Sequence, residues 1–257
     1  MSTKAAMNLT TIAPDVVWTH RSLPLILDSI PVNCRSLLDV GCGRGIIGAL
    51  CRIYRGLDRL VGVEGFEPYL EFSQKSGFYD HTILRDLNDT PLPFGTQEFE
   101  VVTCIEVIEH LEWSAGQKLL DELERIGSRV IVTTPNIRFQ QGEYDGNIFQ
   151  RHLSGWNPSN FKARGYRVYG AGNLNVGYAL KNATEKVVGR VAGGALFSGI
   201  RNSARSVSQA FGPLTYNVPR LSTSLLCVLS QRGRNENMDA GDGATRPVRP
   251  RRTRSAV

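Results

Sequence analysis

Three side chains able to bind a metal or move a proton fall within five residues: Glu106, Glu109 and His110, in the run E-V-I-E-H. If this run opens a helix, positions i, i+3 and i+4 share one face. Two carboxylates and an imidazole on one face can hold a divalent cation, which would depress the pKa of a coordinated hydroxyl. With no metal, His110 backed by Glu109 is a candidate catalytic pair that takes or biases the proton of an oxygen nucleophile. The spacing leaves both chemistries open and the metal ligands undetermined.

A second chemistry-bearing run, L-L-D-V-G-C-G-R-G, covers residues 37–45. It reads as a strand feeding a glycine turn that opens a helix. Gly41, Gly43 and Gly45 let the backbone turn tightly and let a ligand approach where a Cβ would collide. The helix start then offers unpaired N–H groups to an anionic or carboxylate-bearing ligand. A dinucleotide fingerprint wants glycine or alanine at the sixth position of G-x-G-x-x-G, where this chain has Ile46, which argues against a nicotinamide-dependent oxidoreductase. Glu64 follows at the end of V-G-V-E, where a carboxylate can accept hydrogen bonds from both hydroxyls of a nucleoside ribose.

The elements that must position these residues alternate in type from Ser36 to Pro135. SLLDV (36–40), RLVGV (59–63), HTILRDL (81–87), FEVVTCI (99–105) and SRVIVTT (128–134) read as strands. Between them, IIGALCRIYR puts Ile46, Leu50 and Ile53 on one helical face, and EPYLEFSQKSG is a helix stopping near Gly77. SAGQKLLDELERIG predicts a helix with a Ser114–Gln117 capping box, a buried stripe of Leu119, Leu120, Leu123 and Ile126, and Gly127 as its stop. NPSNFKARG, RVYG (167–170) and STSLLCVLSQ (222–231) add a short helix and two strands. This is the pattern of an α/β fold, a doubly wound and mostly parallel seven-stranded sheet.

The G-x-G-x-G turn with Asp39 ahead of it resembles the first motif of class I, Rossmann-like S-adenosylmethionine-dependent methyltransferases. Glu64, the L-R-D-L-N-D run and FEVVTCIEVIEHLEW extend the resemblance over about residues 34–170, with Glu100 where many relatives carry Asp. The resemblance implies S-adenosylmethionine as cofactor, held by Asp39, Gly41, Gly43, Gly45, Glu64, Asp86 and Leu87, with Asp86 facing the adenine amino group. It further implies that E-x-x-E-H is similar to a segment of ubiquinone-pathway O-methyltransferases and of small-RNA 3′-end 2′-O-methyltransferases. In the latter a later histidine completes a cation site, for which His152 is the candidate. The loop after T-T-P-N (133–136) would roof the acceptor pocket, with Tyr144, Phe149 and Trp156 either as its walls or as packing, and Trp18 and His20 stand in a segment that often lids this fold.

Composition limits the rest. The 257 residues allow one methyltransferase domain over 1–231, with a helical insertion at about 171–220 before the last strand and a disordered basic tail at 232–257. That tail has seven arginines against Glu236, Asp239 and Asp242, so 7 − 3 = +4 of the net +6 sits there, leaving the body near +2. A nearly neutral body does not favour nucleic acid as partner. Residues 173–213 carry Lys181, Lys186, Arg190, Arg201 and Arg205 against Glu185, which suits peripheral contact with an anionic membrane surface or a basic lid. Five scattered cysteines without metal spacing, no secretory pattern and no transmembrane run predict a cytoplasmic protein. The expected activity is methyl transfer to a small-molecule, lipid-like acceptor, most simply at oxygen; the alternative is cation-assisted 2′-O-methylation of RNA.

Overall fold

The computed structural model describes residues 22–136, 141–172 and 212–231. In chain order these form α1 (Leu23–Ser29), β1 (Ser36–Val40), α2 (Ile46–Arg55), β2 (Arg59–Glu64), α3 (Glu67–Ser76), β3 (His81–Leu84) and β4 (Phe99–Ile105). A 3₁₀ turn (Ile108–His110), α4 (Trp113–Ile126), β5 (Gly127–Pro135), α5 (Pro158–Lys162), β6 (Arg167–Gly170), α6 (Gly212–Asn217) and β7 (Ser224–Ser230) follow. The seven strands form one sheet in the order β3-β2-β1-β4-β5-β7-β6, with β7 antiparallel to both of its neighbours. The order reverses between β1 and β4, so the carboxyl ends of these strands open a crevice at which such sheets bind ligands.

Buried on both faces, the central strands are apolar at nearly every position. Leu38, Val61, Val102, Val130 and Leu225 point into one core with Leu119, Leu120, Leu123 and Ile126 of α4. Leu37, Leu60, Val101 and Ile131 point into the other with Ile26, Ile30, Ile47 and Cys51. All five cysteines are buried thiols. Among the described residues no helix is long and apolar enough to cross a membrane.

Several sequence expectations change in detail. The inward face of α2 is Ile47, Gly48 and Cys51, one residue on from the expected stripe, and Ile53 is exposed. Helix α4 starts at Trp113 after Glu112 with no side-chain cap, so the Ser114–Gln117 box does not form, and Gly127 is extended because β5 begins there. β3 stops at Leu84, which leaves Asp86 and Leu87 in the following turn. The short helix expected from NPSNFKARG does form as α5, and Asn157 and Asn160 close a capping box at its start. Most of the 171–220 insertion (173–211), the tail, Trp18 and His20 lie outside the described residues.

The shift in α2 has a cause in Tyr79. Its ring lies in a slot made by three glycines: a Cβ on Gly45 or Gly62 would come within 2.8 or 2.9 Å of the ring, and one on Gly48 within 2.2 Å of its hydroxyl. Side chains at these positions would expel the ring, so the helix must turn its smallest residue inward. Gly48→Ala is therefore expected to cost about 1–3 kcal/mol by overpacking. Thermal unfolding should show a melting temperature lower by roughly 2–10 °C; an unchanged or higher value would mean that the slot has slack.

Candidate functional site

A pocket opens at the carboxyl ends of the strands, lined by Gly41, Gly43, Glu64, Gly65, Asp86, Leu87, Glu106, Val107, His110, Leu111, Asn147, Phe149 and Gln150. Each group arrives from a different strand end, which is why residues far apart in sequence meet here. The turn after β1 is tied to β2: the N–H groups of Gly41 and Cys42 both donate to the Val63 carbonyl, at 2.8 and 3.0 Å. Gly41 has φ +71°, and a Cβ there would stand 2.4 Å from the Val107 side chain. The glycine thus gives both the left-handed turn and the room for the segment after β4 to approach.

Glu64 is the organising carboxylate. It is 8% exposed, and its two oxygens accept the N–H groups of Gly43 and Phe66, each at 2.9 Å. Burial raises its pKa, and these backbone donors pull it back down. It fixes the glycine turn to the start of α3 while facing the pocket. Asp86 caps its own turn, accepting from the Asn88 backbone and side-chain amides at 2.9 and 2.8 Å.

Asp39 does not reach the pocket. It is buried behind the turn, accepting from the Tyr79 hydroxyl at 2.7 Å and the Thr103 hydroxyl at 2.8 Å. Burial raises its pKa, and these hydroxyls oppose the shift. Gly45 is likewise off the pocket wall, with φ +86° at the start of α2, where it supports the Tyr79 slot.

The E-V-I-E-H run is not the first turn of a helix. Glu106 takes φ +54°, its N–H donates to the Thr133 backbone and hydroxyl oxygens, both at 3.1 Å, and the chain then makes a 3₁₀ turn. A left-handed glutamate costs on the order of 1–3 kcal/mol and persists where the surroundings impose it. The kink sends Glu109 inward, 3% exposed, with the Thr134 hydroxyl donating to it at 2.9 Å. The Glu109 carbonyl accepts from Leu153 and Ser154 N–H at 2.9 and 3.0 Å, and this lacing brings His152 beside His110, with ring centroids 4.9 Å apart.

One ligand atom from each of Glu109, His110 and His152 lies within 4.8 Å of the others. His110 Nδ1 is 3.2 Å from the Arg151 carbonyl, which accepts from the ring in the tautomer that carries its proton on Nδ1. Burial and the neighbouring His152 push the His110 pKa down to about 4, which keeps the ring neutral. Burial drives the Glu106 carboxyl up to about 7, and burial with the charge of Glu106 pushes the Glu109 carboxyl well above the usual carboxylate range. Such crowded, buried carboxyls are what a cation would relieve. Glu106 lines the pocket beside the cluster and stands outside the mutually close set of three.

Residues 38–129, from β1 to the start of β5, match the family model described as a methyltransferase domain. Over this stretch, about a third of its length, the chain is similar to the S-adenosylmethionine-dependent methyltransferases. The ubiquinone biosynthesis O-methyltransferase of Rickettsia typhi is 29% identical over 157 residues, 55% of this chain and 59% of that protein. The protein of the same name from Actinobacillus pleuropneumoniae is 31% identical over 104 residues, 36% and 44% of the two chains. The chain thus matches less than two thirds of the length of these curated relatives. In fold it is similar to a chain of the complex between the Haloferax volcanii Trm112 methyltransferase activator and a methyltransferase, with TM-score 0.54, 15% identity and coverage of 83% and 90%. The methyltransferase domain of bacterial CtHen1-C is similar in fold as well, with TM-score 0.50, 18% identity and coverage of 82% and 97%.

Of the cofactor residues that the sequence resemblance implies, Gly41, Gly43, Glu64, Asp86 and Leu87 meet at the pocket, while Asp39 and Gly45 support it from behind. Phe149 lines it. Trp156 is packing, 3% exposed and stacked on Trp113 at 4.3 Å, and Tyr144 is exposed. Glu100 accepts the Arg35 N–H at 3.0 Å on the far side of the sheet. Tyr79, Val107, Asn147 and Gln150 were not legible as site residues; only the D-G turn at Asp145–Gly146 could have drawn attention to Asn147.

Proposed function

We propose that this methyltransferase transfers the methyl group of S-adenosylmethionine to a hydroxyl oxygen of a small-molecule acceptor, assisted by a divalent cation at Glu109, His110 and His152. The observation that carries this reading is the convergence of those three side chains next to the pocket that Glu64 and the glycine turn organise. S-adenosylmethionine brings an electrophilic methyl carbon, so the protein's work is to hold the acceptor in line with it. Glu64 offers its remaining lone pairs to the ribose hydroxyls, and the start of α2 offers N–H groups to the cofactor carboxylate. A divalent cation would supply positive charge that lowers the pKa of the acceptor hydroxyl. One carboxylate and two imidazoles suit a borderline cation such as manganese, cobalt or zinc.

A ring with a pKa near 4 is a weak base at neutral pH, which favours His110 as a ligand over His110 as the proton acceptor. Ile148, Leu153 and Trp113 stay 60%, 40% and 42% exposed on segments next to the cluster. Exposed apolar side chains so near the cluster in sequence agree with a hydrophobic acceptor body. The names of the curated relatives agree with oxygen as the methylated atom.

The test is methyl transfer from labelled cofactor to a dihydric phenol bearing an alkyl tail, with manganese and with chelator. O-methylated product that disappears with chelator is expected. Transfer only to nitrogen or carbon, or a rate indifferent to chelator, would contradict the proposal. His152 beside His110 also suits the adjacent hydroxyls of a terminal ribose, so an RNA oligonucleotide with a 2′,3′-diol end belongs in the same assay as the second reading.

A further inference from the structure

The strap Tyr144–Gln150 crosses the pocket and is fastened on the side where the cofactor is expected. Asp145 and Gly146, with φ +56° and +70°, form the tip of a tight turn closed by the Asn147 N–H donating to the Tyr144 carbonyl at 2.9 Å. From that tip the Asp145 carboxylate pairs with the guanidinium of Arg44, inside the glycine turn. The same carboxylate accepts from the Tyr69 hydroxyl of α3 at 3.4 Å, and Arg44 lies over the Tyr69 ring, 4.7 Å from its centre. Arg44 is 12% exposed and Asp145 47%, so the pair is shielded from solvent on its guanidinium side only. The tip is therefore bound to both elements that Glu64 ties together.

The fastening presents two side chains to the pocket. The Phe149 ring lies 3.6 Å from where a Cβ of Gly65 would stand, against the backbone directly after Glu64. Asn147 is 1% exposed and lines the pocket, with its Oδ1 accepting the Phe149 N–H at 2.9 Å. With Oδ1 so engaged, the amide nitrogen is the end of Asn147 left to donate to a ligand.

We propose that Asn147 and Phe149 are cofactor-binding residues of this methyltransferase, and that the Arg44–Asp145 pair pins the strap that presents them. The inference rests on the pocket being the S-adenosylmethionine site. It commits to the cofactor because the strap's anchors belong to the elements that frame Glu64.

Two isosteric variants test it. Asp145→Asn removes the charge of the pin, and Asn147→Asp keeps the oxygen that caps Phe149 while removing the amide donor. With S-adenosylhomocysteine, Asp145→Asn should raise the dissociation rate and Kd three- to tenfold, and Asn147→Asp should weaken binding tenfold or more. Asp145→Asn should keep the wild-type melting temperature, which a merely structural role would lower. Asn147→Asp, which places a carboxylate at a 1% exposed position, should lower it while leaving the protein folded at the assay temperature. Wild-type affinity and dissociation rate in both variants would overturn the proposal. Hydrogen exchange without ligand separates it from the reading of the pocket. Asp145→Asn should speed exchange of the Asn147 and Gln150 amides, and unchanged exchange overturns the pin even if wild-type protein binds no S-adenosylhomocysteine.

Discussion

Glu64→Ala is expected to weaken S-adenosylhomocysteine binding by roughly 100-fold. Two losses combine in this variant. The ribose hydroxyls lose their acceptor, and the Gly43 and Phe66 N–H groups lose the charged oxygens that hold them at 2.9 Å. Hydrogen bonds to a charged group are worth about 1.5–3 kcal/mol each, and a 100-fold change in Kd needs only about 2.7 kcal/mol. Part of the loss will surface as lowered stability, since the glycine turn is then tied to β2 only through the Val63 carbonyl. Glu64→Gln should fall between wild type and alanine, because its amide can accept one N–H and must turn a donor toward the other. Calorimetry on all three proteins checks the order; equal affinities would remove Glu64 from the cofactor site.

The second large effect is expected at His152. Replacing it by alanine takes away one of the three close ligand atoms while leaving the residues that line the pocket intact. Turnover should drop by roughly 100-fold or more, the scale on which a positioned proton-handling group contributes. Binding of S-adenosylhomocysteine should stay within about twofold, because the ring lies on the acceptor side. The residual rate should no longer respond to manganese or to chelator. A turnover near that of wild type, still sensitive to chelator, would place the cation elsewhere.

The glycine turn and Glu64 were readable in the sequence because the constraint on them is local. A strand that ends in alternating glycines and enters a helix has few other uses, and a carboxylate ending the next strand must lie beside it. Asp39 could not be assigned by the same logic. Whether it faced the pocket or the core depended on Tyr79, which comes 40 residues later and fills a slot that only the packed structure defines. The E-V-I-E-H run does not take the helical geometry that its spacing suggested. Helical spacing promised three side chains on one face, whereas a left-handed Glu106 and a 3₁₀ turn give Glu109 and His110 a different partner. That partner, His152, is delivered by backbone hydrogen bonds to the Glu109 carbonyl, which carry no signature in side-chain pattern. The shifted face of α2 has the same origin, a tertiary neighbour overruling an apolar stripe.

The most direct test of the account is a calorimetric titration of the wild-type protein with S-adenosylhomocysteine, run beside NADH. Micromolar binding of S-adenosylhomocysteine at one site per chain, and none of NADH, is expected. Binding of NADH, or of neither ligand, would contradict the assignment of the pocket.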